Sequence, residues 1–138
     1  YLININSYIN RENIDREYKI NDNISITIKY LDQYMDNSIC TYQVKNRSDK
    51  NIRLNAESDA MYLLDQDNVR HKSYTNEIEE TNLLINANTV KTVQIPYNNA
   101  YISDRKITKF VFENVILDYD AYLNLENKEE YNFVKVEI

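Results

Sequence analysis

The sequence predicts an all-β fold: a β-sandwich of two antiparallel sheets with about seven to nine short strands and at most one or two short helices. Two observations carry this. From Ile39 to Phe112 the chain repeats one rhythm of short strand-like run, polar turn and next run, as in ICTYQVKN, RSDK and NIRLNA. Within the runs, apolar residues fall on every second position, the period of a half-buried strand.

The first 17 residues are an N-terminal extension or an edge strand, and residues 18–138 form the sandwich domain. LINI can pair as an edge, whereas SYINRENIDREY also fits one or two helical turns. ISITIKYL sets Ile24, Ile26, Ile28 and Tyr30 on one face, with a polar turn after it from Asp32 to Ser38. Cys40, Tyr42 and Val44 face inward on the next strand, and Asn46 to Lys50 has turn chemistry before inward Ile52 and Leu54. DAMYLLD fits a strand or a single helical turn; the alternation of Met61 and Leu63 with Tyr62 and Leu64 favours a strand, with Val69 to Tyr74 as its hairpin partner. Asn76 to Asn82 is a charged loop. Val93 and Ile95 face inward and Pro96 ends their strand, where a missing N–H is harmless. Phe110 and Phe112 follow on the inner face. Asp118 to Glu130 is read as a short helix capped by Asp120 with Leu123 on its buried side, and Val134, Val136 and Ile138 close the sheet.

Composition narrows function by exclusion. The chain has 21 Asn, no Gly and one Pro, so Asn takes over the positive-φ turn positions that Gly usually fills. Its net charge is −6, and Glu113 to Ile138 carries seven acids against two basic residues. No basic stripe exists, which disfavours nucleic acid and anionic membrane surfaces as partners. Every apolar stretch is too short for a transmembrane helix. The single cysteine, Cys40, forms no internal disulfide and is expected to be a buried, inert thiol. The chain begins at Tyr1 and not at Met, so any signal peptide or lipid-attachment cysteine is expected upstream of it, and the lack of a targeting segment does not count against export.

No catalytic, cofactor or metal site is expected. Without glycine there is no phosphate loop. Asp65, Asp67 and Asn68 resemble a fragment of a calcium loop, but they lack its Gly and its distal Glu and read as a hairpin turn. Asp118 and Asp120 read as solvated carboxylates. His71, the only histidine, is expected to be exposed and unpartnered between Arg70 and Lys72. Thirteen tyrosines exceed what a core of this size requires. Tyr34, Tyr97 and Tyr101 fall in expected loops. Tyr97, Asn98, Asn99 and Tyr101, set beyond Pro96, form the candidate partner-binding loop, because tyrosine and asparagine suit adaptable recognition surfaces.

One resemblance is carried by turn signals. Val44-Lys45-Asn46, Arg47-Ser48-Asp49-Lys50, Leu64-Asp65-Gln66-Asp67-Asn68 and Ile95-Pro96 occur in an order that resembles the telokin-like immunoglobulin-like domain of secreted proteins and lipoproteins of Gram-positive bacteria. Asn68 stands where that family's turn has Gly, and Asn86-Ala87-Asn88 replaces its Pro-Gly loop. The likeness spans about residues 18–117 and implies an immunoglobulin-like sandwich. It also implies an extracellular or cell-surface place, lipid-anchored or secreted, with the signal segment or lipid anchor upstream. The family is largely of unknown function and lends no catalytic residue. The expected function is a non-enzymatic cell-envelope module that binds a protein or a glycan. The alternatives are a structural spacer domain of a lipoprotein and a hydrolase using a carboxylate site.

Overall fold

Strands rich in isoleucine and valine, with polar residues between, lead this chain into sheets and leave little helix. The computed structural model describes residues 8–56, 60–73 and 83–138. Among them the strands are β1 (Tyr8–Lys19), β2 (Ile24–Tyr34), β3 (Ser38–Asn46), β4 (Ile52–Arg53), β5 (Met61–Asp65), β6 (Arg70–Lys72), β7 (Leu84–Ile85), β8 (Thr89–Tyr97), β9 (Ile107–Val115) and β10 (Val134–Glu137). One short helix, α1 (Tyr119–Leu123), and a 3-10 turn at Lys128–Glu130 lie between the last two strands. The molecule is all-β, as the alternation predicts. The strands pair antiparallel in two four-stranded sheets, β1-β2-β3-β8 and β10-β9-β5-β6, with β4 and β7 as a separate small pair.

The core lies between the two larger sheets. From the first come Ile26, Ile28, Tyr42, Val44 and Ile95, and from the second Leu63, Phe110, Phe112 and Val136, in one continuous buried cluster. The Tyr42 ring meets Phe110 and Phe112 edge-on, with centroids 6.4 and 5.1 Å away, so aromatic contacts bridge the layers. Ile52 and Leu54 are buried as expected, and Ile52 pairs with Ile85.

From Tyr8 onward the N-terminal segment is an edge strand and not helical turns. β1 runs through the boundary expected at residue 17 and pairs with β2 from Tyr8↔Tyr34 to Lys19↔Ser25. LINI, Tyr74 and the loop Asn76 to Asn82 lie outside the described residues. Two bulges meet at Lys29. Ile14 and Asp15 of β1 stand opposite it, and against β3 the register slips between Ile28 and Tyr30. One extra residue reverses the facing of everything beyond it. Leu31, and not Tyr30, therefore continues the buried row begun by Ile24, Ile26 and Ile28. Tyr30 stays half-buried beneath the Arg11 guanidinium, 3.7 Å from its ring centre. Asp15 takes a φ of 49° at the bulge, and its carboxylate pairs with Lys29 at 3.2 Å.

Asparagine does take glycine's turn work at two positions, Asn68 with φ 61° and Asn88 with φ 57°. The polar turn after β2 is shorter than expected. β2 continues through Tyr34, and the Tyr34 amide donates to the Asn37 carbonyl to close the turn at Met35–Asn37. The short helix also differs from expectation. Its cap is Asp118, whose carboxylate accepts from the Ala121 amide, and Asp120 lies inside the first turn. Leu123 is 51% exposed, because five residues make barely more than one turn and none of them reaches the core.

Candidate binding surface

The loop expected to bind a partner is mostly closed. β8 does not end at Pro96. It is an edge strand, so proline's missing N–H leaves the ladder intact, and Pro96 and Tyr97 still pair with Ile39 and Ser38. Period two then carries the inward row from Val93 and Ile95 to Tyr97, which is fully buried. Its hydroxyl shares a 2.7 Å hydrogen bond with that of Tyr42, equally buried. Burial pushes both phenols well above their ordinary range. Asn99 is buried too. Its amide donates to the Ser38 hydroxyl at 3.1 Å, and it accepts from the Arg105 guanidinium at 2.9 Å. Tyr101 is half-buried, with its backbone amide on the Tyr34 carbonyl. Asn98 alone of the four is exposed.

His71 is neither exposed nor unpartnered. Strand β6 turns it inward, 8% exposed, with its Nε2 2.9 Å from Asp65 Oδ2. Asp65 Oδ1 accepts from the Asp67 and Val69 amides. One carboxylate thus ties the whole β5–β6 turn, and the His71 hydrogen bond first, with those amides, lowers its pKa. This pair resembles half of a nucleophile-activating triad. The hydroxyl of Ser73, two residues along, is buried and has no hydrogen-bond partner, so it is not engaged by His71. Cys40 is fully buried in the other sheet, and burial raises its thiol pKa. The Asp65–His71 pair therefore reads as an internal brace for the hairpin.

A different stretch stands out. From Leu117 to Lys135 not one residue is buried, yet Tyr119, Tyr122, Tyr131 and Phe133 gather there. Tyr122 is the hub. It stacks on Tyr119 with centroids 6.2 Å apart, meets Tyr131 edge-on at 5.4 Å and tilts against Phe133 at 5.9 Å. Tyr131 and Phe133 touch at 5.3 Å. The rings are positioned by helix α1 at one end and by the entry to β10 at the other. The Tyr131 hydroxyl accepts from the Asp118 amide at 3.1 Å and so ties the two together. Lys128 donates to the Leu123 and Leu125 carbonyls, and its ammonium sits 5.4 Å from the Tyr122 ring centre. Arg53 approaches the Tyr119 ring from β4 at 5.7 Å. These four rings pack around Tyr122 and stay partly exposed. The signal was present in the sequence. Tyr119 and Tyr122 are three apart and share a face of the short helix expected there.

Tyr62, outside the patch, is likewise covered by a cation. Arg70 lies 4.3 Å from the Tyr62 ring centre and 3.8 Å from Glu113, while the Tyr62 hydroxyl donates to Glu113 at 2.7 Å. Burial first, then Glu113, pushes the Tyr62 phenol up to about 12. No helix among the described residues is long and apolar enough to cross a membrane, and no three or more of their His, Cys, Asp and Glu side chains gather as a metal-ligand set. No family model, curated protein or solved structure matches this chain.

Proposed function

We propose that this protein is a non-enzymatic, immunoglobulin-like module of the cell envelope that binds a protein or glycan through the aromatic patch at Tyr119–Phe133. The observation that carries the reading is the cluster of four half-buried rings packed around Tyr122 on a segment with no buried residue. Aromatic rings supply large contact area at low conformational cost, and they sit beside the exposed amides of Asn124 and Asn132. The candidate surface thus moves from the Tyr97–Tyr101 loop to the C-terminal segment with the same side-chain chemistry. Support for the immunoglobulin-like, telokin-like part comes from the strand neighbours. Taking β2, β3 and β8 as strands A, B and E leaves β10-β9-β5-β6 as G-F-C-C′, with β1 as an addition at the edge.

The test is binding of the wild type and of Tyr122→Leu to arrays of glycans and of peptides. Leucine keeps an apolar side chain but removes the ring faces. The expected result is a ligand class bound by the wild type and lost in the variant while the melting temperature stays within a few degrees. Ligand binding that survives Tyr122→Leu unchanged would sink the patch as the functional surface.

A further inference from the structure

The proposed surface has a charge as distinctive as its rings. Between Asp118 and Phe133 there are five acids and one lysine, a net −4 of the chain's −6 in 16 of its 138 residues. Asp120, Glu126, Glu129 and Glu130 are exposed, and none of them forms an ion pair among the described residues. The ring faces also attract positive charge, since the π cloud is negative above the plane. That attraction is already at work in the patch, where Lys128 lies over Tyr122 and Arg53 over Tyr119.

We infer that the partner of this surface is an arginine-bearing polypeptide segment. This rests on the binding-module reading above and names its partner class. A guanidinium stacks flat on an aromatic face and at the same time offers paired N–H donors to a carboxylate. Tyr131 and Phe133, over which no cation of the described residues lies, together with the unpaired carboxylates of the same segment, match both halves of that group. A neutral glycan would cover the rings and leave the four carboxylates without a counter-charge. An anionic glycan would be repelled outright. Arg11 shows the same double contact within this protein. It lies over Tyr30 while its guanidinium pairs with both oxygens of Asp32, at 2.7 and 3.1 Å.

The experiment is an amide-NMR titration of the labelled protein with three probes: a capped nonapeptide containing three arginines, the same peptide with citrulline at those positions, and neutral chitohexaose. The arginine peptide is expected to shift the amides of Tyr119–Phe133 and to bind at least tenfold tighter than its citrulline counterpart. Glu129→Gln with Glu130→Gln should weaken it several-fold, whereas Glu17→Gln with Asp22→Asn, which removes as much charge elsewhere, should not. Equal loss in the two double variants would reduce the effect to net charge and overturn the inference. Equal affinity for the arginine and citrulline peptides would do the same. Shifts at the patch with chitohexaose alone would overturn the arginine partner and leave the binding surface standing. No shift at the patch with any probe would overturn the arginine partner as well, and the Tyr122→Leu arrays decide the broader reading separately.

Discussion

Tyr42 and Tyr97 place two hydroxyls where neither can reach water; each hydrogen-bonds the other, and Tyr42 also has the Cys40 thiol beside it. Removing either hydroxyl takes a hydrogen bond from a buried partner, and a buried polar group left unsatisfied costs ~1–3 kcal/mol. Tyr42→Phe and Tyr97→Phe should each lower stability by that order in urea unfolding, and the double variant should lose less than their sum. Strict additivity of the two would show that the hydroxyls do not depend on each other. Asp65 makes a second residue-scale case. Its pKa is lower in the folded chain than the unfolded value of about 3.9. Its contribution is therefore present above that value and lost as pH falls through the folded pKa. The urea midpoint should fall below about pH 4, and less steeply in Asp65→Asn measured against its own neutral-pH midpoint. An acid limb of identical slope in the variant would remove Asp65 from the account.

At the scale of elements, the edges and the short helix matter most. β1 is long and lies at a sheet edge, the kind of strand that invites pairing with another chain. Its charged residues and the bulge at Ile14–Asp15 bend and blunt it. Helix α1 owes its start to the Asp118 cap, and Asp118 also gives its amide to Tyr131. Asp118→Ala should cost about 1 kcal/mol, the usual value of an N-cap. The loss should appear first as weaker near-ultraviolet tyrosine dichroism, because the ring cluster loosens before the sheets do. Unchanged tyrosine dichroism together with lowered global stability would mean that the helix does not hold the rings.

For the whole molecule, Cys40 is a reporter. It is fully buried between the sheets, and burial holds its thiol in the protonated, unreactive form. Reaching it requires something close to global opening. A thiol reagent should label it more than about a hundredfold more slowly in native buffer than in denaturant. Comparable rates would show that the sandwich opens locally at β3.

Much of the strand pattern could be read directly from the sequence. Cys40, Tyr42, Val44, Met61, Leu63, Phe110 and Phe112 all face the core as their spacing indicates, because a strand's two faces follow from parity alone. Parity also points to Tyr97, but taking Pro96 as the end of the strand puts Tyr97 in a loop. Only the position of β8 at a sheet edge shows why Pro96 is tolerated there. Tyr30 and Leu31 exchange places because bulges arise from how neighbouring strands register, which no single strand encodes. His71 meets Asp65 only once the hairpin closes, and its flanking charges say nothing of that. The four rings of the C-terminal patch were visible as letters, but their mutual packing away from the core is a fact of three dimensions. Local alternation determined which residues form strands and which face inward. Tertiary structure alone decided which polar groups found partners and which aromatic faces were left to solvent, because those outcomes depend on residues distant in the chain.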